Sequence, residues 1–336
     1  MSLSLPSQLL LQQDLEANTL LINPPLDDLA FGVDPSWTVL SFSYAGGQRF
    51  EQRGCAQADF TTPPANCFEN IIVYLPKAKA RLQYIIDYAS HALTENGEIW
   101  FVGENKGGIK SLPKQLKDTF GTVSKMATGK HSAIVSAQGL LAAKPDFKFE
   151  NYFKAQDNEL GLNISALPGV FSQDKLDKGT ALLLKYLPRK LKGRILDFGC
   201  GAGVIGSYIA KNFEYEEIEM IDDDVFAVLS AQKNIEDNKL PLIEAYLSNG
   251  LGDVEERYNW IVSNPPFHQG LKTEYSVTER FLVEAKEHLK LSGKLLIVAN
   301  EFLSYEVILR EHFKSVNEIV RANGFKVIQC EGIMRK

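Results

Sequence analysis

Asn264-Pro265-Pro266-Phe267 packs an amide, two stiff carbonyls and an aromatic face into four residues. It follows Trp260-Ile261-Val262-Ser263, a short apolar run that reads as a buried strand. Two consecutive prolines have no backbone N–H to donate, so the strand must stop there. In an open α/β sheet the carboxyl end of a strand is where ligands bind. These four residues suit the holding of a flat, amino-bearing ring so that its nitrogen acts as a nucleophile. Asn264 Oδ1 and the Pro265 carbonyl can accept the two amino hydrogens, and Phe267 can stack on the ring. The plainer reading is a Pro-rich turn out of a strand, because a four-residue motif is short.

A second stretch bears on the choice. Arg194-Ile195-Leu196-Asp197-Phe198-Gly199-Cys200-Gly201-Ala202-Gly203 reads as a strand running into a glycine turn, with a helix to follow over 204–210. Glycines there allow a sharp turn and a close backbone approach to a ligand. The next strand, Ile218-Glu219-Met220-Ile221-Asp222, ends in an acid about 20 residues past the turn, the spacing of a carboxylate that holds ribose hydroxyls. Asp223 and Asp224 leave that register open by one. Residues 201–206 also fit the dinucleotide pattern G-x-G-x-x-G, a weak signal alone. Asp197 argues against it, since an acid before the glycines repels a pyrophosphate. It suits a ligand with a cationic end, such as the amino acid part of S-adenosylmethionine. Asn264-Pro265-Pro266-Phe267 has no use in hydride transfer.

Taken together with His268, these two motifs resemble class I S-adenosylmethionine methyltransferases that act on an exocyclic amine. The chain is most similar to the ribosomal RNA small subunit methyltransferase C family, which makes N2-methylguanine in 16S rRNA. Leu167-Pro168-Gly169-Val170-Phe171-Ser172, Leu176-Asp177-Lys178-Gly179-Thr180, Ser248-Asn249 and Val298-Ala299-Asn300 carry the resemblance further, and Phe101-Val102-Gly103-Glu104-Asn105 extends it to the amino half. It implies that Phe171, Asp197, Gly199, Gly201, Asp222, Asn249 and Asn264 hold S-adenosylmethionine, leaving S-adenosylhomocysteine as product. Asn264, Pro265 and Phe267 would form the catalytic set, and Pro266, Phe267 and His268 would meet the substrate. No metal is implied, because the sulfonium is already a strong electrophile. The implied partner is 16S rRNA within the 30S subunit, and the implied protein a cytoplasmic monomer. Plainer readings stand beside these: His268 as a loop cap, Phe171 as core, Asn249 as a turn residue and Ser263 as a close-packing residue. Asn-Pro-Pro-Phe/Tyr also serves adenine-N6 and release-factor glutamine-N5 methyltransferases, and the 23S rRNA guanine-N2 enzymes are a near rival. An RNA-binding or assembly protein with a relic cofactor fold is the non-enzymatic alternative.

Charge gives no simple support for a nucleic-acid partner. The 336 residues carry 36 basic and 42 acidic side chains, a net charge of −6. Phosphate neutralisation needs a basic face rather than a basic total. Lys106, Lys110, Lys114, Lys117, Lys125 and Lys130 follow one another with only Asp118 between them. Lys110, Lys114 and Lys117 are the candidate phosphate contacts. A second cluster, Lys185, Arg189, Lys190, Lys192 and Arg194, contains no acid. Both clusters read equally as solvated faces. No apolar run is long enough to span a bilayer. Cys55, Cys67, Cys200 and Cys330 form no C-x-x-C pair, so neither a zinc site nor a disulfide framework is indicated.

The elements that must position these residues recur in the chain. Asn70-Ile71-Ile72-Val73-Tyr74-Leu75-Pro76 parallels Asn259-Trp260-Ile261-Val262-Ser263-Asn264-Pro265, and in each half an amphipathic stretch, a turn glycine and a buried strand follow. A repeat this long suggests duplication. The expected fold is α/β: two tandem Rossmann-like class I methyltransferase domains, 1–155 and 156–336, linked across 144–159. In the second, strands at 194–199, 217–222, 242–247, 258–263, 294–299, 315–321 and 325–331 alternate with helices at 204–213, 225–237, 275–290 and 304–312. That implies a seven-strand, mostly parallel sheet with an antiparallel edge. The first copy lacks the glycine turn, and aligning Val73-Tyr74-Leu75-Pro76-Lys77 on Ser263-Asn264-Pro265-Pro266-Phe267 places Tyr74, Leu75 and Lys77 where the amide, the first proline and the aromatic ring would be. It is expected to hold no cofactor and to bind RNA or support its neighbour.

Overall fold

The structure, a computed structural model, describes residues 2–142, 146–266 and 272–334. The chain divides into two compact units, Met1–Tyr152 and Phe153–Lys336.

In the first unit the strands are β1 (Thr19–Ile22), β2 (Thr38–Leu40), β3 (Ala56–Gln57), β4 (Phe68–Tyr74), β5 (Leu93–Glu104), β6 (Phe120–Gly129) and β7 (Ser132–Leu140). They form a sheet of order β3-β2-β1-β4-β5-β7-β6. Helix α1 (Leu5–Leu10) precedes β1, and α2 (Tyr44–Glu51), α3 (Arg81–Ala92) and α4 (Leu112–Leu116) lie between strands in sequence.

The second unit opens with a small hairpin, β8 (Lys154–Ala155) against β9 (Ser165–Ala166). Then come α5 (Lys178–Lys185), β10 (Arg194–Phe198), α6 (Val204–Asn212), β11 (Glu217–Asp222), α7 (Val225–Asp237), β12 (Ile243–Leu247), β13 (Tyr258–Ser263), α8 (Lys272–Glu284), β14 (Leu289–Asn300), α9 (Tyr305–Arg310), β15 (Phe313–Ala322) and β16 (Phe325–Ile333). The sheet order is β12-β11-β10-β13-β14-β16-β15, the same permutation as in the first unit. In both sheets six strands run in one sense, and only the strand next to the edge, β7 in the first and β16 in the second, runs antiparallel to its two neighbours. Among the described residues these are two Rossmann-like sheets of seven strands each, the topology expected from the sequence. Tight turns close the antiparallel hairpins: Lys130 and His131 take φ of 49° and 58°, and Asn323 and Gly324 take 55° and 81°. Paired left-handed residues match the twist of the strands they join.

The second sheet is held by a continuous apolar core. Leu196, Ile261, Leu295 and Ile297 on neighbouring strands pack with Phe281 and Leu282 of α8. Phe198, at the carboxyl end of β10, stacks on Phe281 with centroids 3.8 Å apart and planes 9° from parallel.

Three local readings change. α5 was not anticipated: eight residues containing a glycine give too short a period to stand out, and its start is marked by Asp177, whose side chain accepts the Thr180 N–H. The expected helix over 275–290 ends instead at Glu284, a 3-10 turn covers Ala285–His288, and β14 begins at Leu289. Pairing decides this: Leu289 lies opposite Tyr258, and the register shifts before Lys294 meets Trp260. Leu289-Lys290-Leu291 continues a helical pattern as well as a strand, so only the partner strand distinguishes them. Within the expected link, the 3-10 helix Phe149–Tyr152 and strand β8 are formed, while residues 143–145 lie outside the described residues.

Candidate active site

β10 pairs with β11 on one side and β13 on the other, so three carboxyl ends lie side by side. The chain leaves β10 through Gly199, Gly201 and Gly203, with φ of 67°, 54° and 74°. The Gly199 and Cys200 N–H groups donate to the Ile221 carbonyl at 2.9 and 3.0 Å, folding the turn back over the end of β11. Asp222, the last residue of β11, completes the anchor: its Oδ2 accepts the Gly201 N–H at 2.9 Å and its Oδ1 the Asp224 N–H at 3.0 Å. Asp224 is spent on capping α7 through Phe226 N–H, which settles which of the three aspartates ends the strand.

Asp197 is fully buried beneath the turn. Its Oδ2 accepts the Gly206 N–H at 2.9 Å, and its Oδ1 has no partner. Burial pushes its carboxyl up from 3.8 to about 7, against the pull of the Gly206 N–H and with a push from Asp222. Asp222 is likewise raised to about 7, by burial first and then by the Asp224 carboxylate. Two carboxyls with raised pKa and an unpartnered buried oxygen are a poor resting arrangement. A cationic group placed beside them would relieve it. Cys200 between them is buried, and burial and both aspartates hold its thiol well above its ordinary value, so it packs as a neutral group.

β13 brings Asn264 to the same edge. The Ser263 hydroxyl donates to the Phe198 carbonyl at 2.7 Å, a buried tie between the ends of β13 and β10. Asn264 Nδ2 donates to Thr180 Oγ1 at 2.8 Å and to Asp177 Oδ2 at 3.2 Å, both at the start of α5. The donor end of the amide is therefore used, and its Oδ1 is buried without a partner. A cleft lies alongside, lined by Phe171, Ser172, Thr180, Gly199, Gly201 and Asn264 among others. The site thus offers an unpaired acceptor on Asn264 and an unpaired acceptor on Asp197, on either side of a glycine turn.

Comparison with known proteins bears on this geometry. The family model described as "Methyltransferase small domain" matches residues 161–329, and its N-terminal companion, "Methyltransferase small domain N-terminal", matches 7–156. A protein of Acinetobacter baumannii (strain AYE) named ribosomal RNA small subunit methyltransferase C is 38% identical over 327 residues, covering 95% of this chain and 97% of its own length. One of the same name from Colwellia psychrerythraea is 38% identical over 275 residues, covering 81% of this chain and 77% of its own length.

The chain belongs to the ribosomal RNA small subunit methyltransferase C family.

The fold of a solved structure agrees: a T. thermophilus 16S rRNA N2 methyltransferase in complex with AdoMet and guanosine aligns with a TM-score of 0.84 over 97% of this chain and 91% of that one, at 24% identity. In this methyltransferase C chain the edge described above gathers Phe171, Asp197, Gly199, Gly201, Asp222 and Asn264. Phe171 is 58% exposed at the cleft rather than part of the core. Asn249 lies two residues past the Leu247 that pairs with Asp222; it is exposed, and its N–H donates to Asp253 Oδ2. Pro265 and Pro266 follow Asn264, and the Pro266 carbonyl accepts the Thr278 hydroxyl at 3.0 Å, which holds the loop to α8. Phe267 and His268 lie outside the described residues. Among the described residues no group of three His, Cys, Asp or Glu side chains could hold a metal ion, and no helix is long and apolar enough to cross a membrane.

Lys110, Lys114 and Lys117 are exposed in the first unit, on and beside α4. The second basic cluster is smaller than its sequence suggests. Arg194 is bound to Glu217 and Glu256, while Lys185, Arg189, Lys190 and Lys192 stay exposed.

Sequence reasoning gave no role to Asp177 and Thr180, although it noted their motif. An acid three residues before a hydroxyl at a helix start is the signal that could have found them. It also overlooked Asn23-Pro24-Pro25 in the first unit. There the Asn23 N–H donates to the Leu40 carbonyl, as Gly199 does to Ile221, and Asn23 Nδ2 donates to the Tyr74 carbonyl at 2.9 Å. Ile22 pairs with Val73 as Phe198 pairs with Ser263, so Tyr74 holds the place of Asn264. Its hydroxyl meets Ser7 Oγ of α1 at 3.0 Å, the counterpart of Thr180 in α5. Asn23 thus ties the turn to the neighbouring strand, and a buried tyrosine stands at the register position that Asn264 holds in the second unit.

Proposed function

We propose that this chain transfers a methyl group from S-adenosylmethionine to the exocyclic N2 of a guanine in 16S rRNA, acting on the small ribosomal subunit. The observation that carries the reading is Asn264: its amide nitrogen is tied to Thr180 and Asp177, and its Oδ1 is left buried and unpaired. A buried acceptor without a partner costs about 1–3 kcal/mol unless a ligand donor meets it. An amino group on a flat base is such a donor.

The residues fit the cofactor. The glycine turn can lie against it through its backbone, Asp222 can hold ribose hydroxyls, Asn249 stands near the end of the next strand, and Asp197 can balance a cationic end. Phe171 can close over it. Bound S-adenosylmethionine supplies an electrophilic methyl group on a sulfonium. The guanine amine needs help, because its lone pair is delocalised into the ring. Asn264 Oδ1 and the Pro265 carbonyl accept its two hydrogens and favour a pyramidal nitrogen aimed at the methyl group. Pro266, Phe267 and His268 complete the substrate side, with Phe267 stacking on the base. Positioning and electrostatics do most of the work, no metal is required, and S-adenosylhomocysteine remains. Water takes the proton after transfer.

Residues 1–155 act as a degenerate copy that holds no cofactor, and Lys110, Lys114 and Lys117 engage phosphates of the RNA. The protein works as a cytoplasmic monomer. The test is methyl transfer from labelled cofactor to 30S subunits, 50S subunits, bare rRNA and DNA, followed by nucleoside analysis. Label in N2-methylguanine from 30S subunits is expected. Label only in 50S subunits, in N6-methyladenine, or in no nucleic acid would overturn the reading.

A further inference from the structure

Ser230, Asn234 and Asn238 lie four residues apart on one side of α7, with Asn238 at its C-cap. Each binds the backbone of an alternate residue in the segment before the cleft. The Leu167 N–H donates to Ser230 Oγ at 3.0 Å. The Ser165 N–H donates to Asn234 Oδ1 at 2.9 Å, and Asn234 Nδ2 donates back to the Ser165 carbonyl at 2.8 Å. Asn238 makes the same reciprocal pair with Asn163, at 2.9 and 2.7 Å. Four helical residues rise about 6 Å and two strand residues about 6.6 Å, so the periods match and the helix serves this segment as a neighbouring strand would.

Asn234 does more than its two companions. It is fully buried, and its Nδ2 also donates to the Ala202 carbonyl in the glycine turn at 2.9 Å. One side chain therefore joins the turn on one wall of the cleft to the segment that carries Phe171 and Ser172 on the other. Gln156 Nε2 ties down the far end of that segment through the Ser172 carbonyl at 2.7 Å. None of the three α7 residues lines the cleft itself.

We propose that Asn234 is a positioning residue that locks the Phe171–Ser172 wall to the glycine turn, so that cofactor affinity depends on it and the methyl-transfer step does not. The inference rests on the reading that this cleft takes S-adenosylmethionine. Without Asn234 the two walls move independently, and binding must order them before the ligand is enclosed.

The test uses the full chain as wild type, Asn234→Ala and Ser230→Ala. Calorimetry gives the Kd for S-adenosylhomocysteine, steady-state assays on 30S subunits give KM for S-adenosylmethionine and kcat, and hydrogen exchange follows peptides across residues 160–173. Asn234→Ala is expected to raise Kd and KM roughly tenfold, the scale of one buried hydrogen-bonded anchor. Its kcat at saturating cofactor should stay within about twofold, since a residue that acts through binding leaves the chemical step alone. Exchange should quicken across 163–172 while β10 and β13 stay protected. Ser230→Ala should shift the same readouts less. A folded Asn234→Ala protein with unchanged Kd and exchange overturns the proposal, and so does a fall in kcat at constant KM. If Asn234→Ala does not fold, Ser230→Ala decides, and an unchanged Kd there overturns it. Wild-type protein that binds no S-adenosylhomocysteine sinks the cofactor reading and this proposal together, whereas wild-type binding with unaffected variants sinks the proposal alone.

Discussion

Asn264 Nδ2 donates to Thr180 Oγ1 at 2.8 Å, and this contact helps to hold the amide with its Oδ1 unpaired. Asp177 fixes the sense of the amide, because its carboxylate can only accept from Asn264 Nδ2 whereas the Thr180 hydroxyl can also donate, and it caps the helix that carries Thr180. The orientation of the proposed catalytic amide is thus decided at the start of a different element, α5.

Substitutions at this pair should separate chemistry from cofactor binding. Asn264→Ala is expected to lower kcat about 10²–10³-fold, the scale of losing one positioned transition-state group. Thr180→Val keeps the shape and removes the nearer of the two acceptors, leaving Asp177 alone to hold the amide. A smaller loss of kcat, roughly tenfold, should follow from the lost hydrogen bond. Calorimetry with S-adenosylhomocysteine should show less change than turnover for both variants. Wild-type kcat in Asn264→Ala would end the amine-clamp account.

The raised carboxyls make stability depend on pH. Asp197 stands at about 7 in the folded protein against an ordinary 3.8. The folded state therefore keeps a proton that the unfolded chain releases, and stability is lost as pH rises from about 4 to about 7. Asp197→Asn removes this loss and can keep an acceptor for the Gly206 N–H. Its melting temperature without ligand, relative to wild type, should be higher at pH 8 than at pH 4.5. Its affinity for S-adenosylmethionine should be weaker, because the charge that balances the sulfonium and ammonium is gone. A melting difference that does not vary with pH would remove Asp197 from this role.

Gly203 should tolerate no side chain. Its φ is 74°, and a Cβ there would stand 2.9 Å from Met220 Cε and 3.0 Å from Ala231 Cβ. The methionine tip can move, but the alanine on α7 cannot. Gly203→Ala is expected to cost about 1–3 kcal/mol in backbone strain alone, measurable by urea denaturation. A variant as stable as wild type would show that the turn relaxes more freely than its contacts indicate.

The first unit's lysines give a salt-dependent test. Charge reversal at Lys110, Lys114 and Lys117 should weaken binding to 30S subunits more at low salt than at high salt, as exposed phosphate contacts require. Affinity for S-adenosylhomocysteine should be untouched, since these side chains belong to the other unit. Equal weakening at all salt concentrations, or none, would place the RNA contact elsewhere.

The duplication, the two sheets and the glycine turn were legible because each leaves a periodic or compositional mark. Apolar runs ending at Pro76 and Pro265, and strands alternating with helices, follow from local chemistry that needs no partner. Asp222 was legible by spacing, though not the reason Asp224 is excluded: that depends on which carboxylate caps α7. Helix α5 and the early start of β14 were not legible. A short helix with a glycine has little periodic signal, and Leu289 is a strand residue only because Tyr258 lies opposite it.

Residue types along the chain, by themselves, determined that an amide, a glycine turn and two acids would meet at the carboxyl edge of a parallel sheet, because strand ends and breakers are local properties. Tertiary structure alone decided how those groups are poised. Asp177 and Thr180 hold the Asn264 amide, burial raises Asp197 and Asp222, Arg194 is drawn out of its basic cluster by Glu217 and Glu256, and Tyr74 fills the place of Asn264 in the first unit. Each of these depends on desolvation or on a hydrogen bond between residues tens of positions apart. Such pairings leave no periodic trace in the sequence, because they exist only once the sheet has brought the strand ends together.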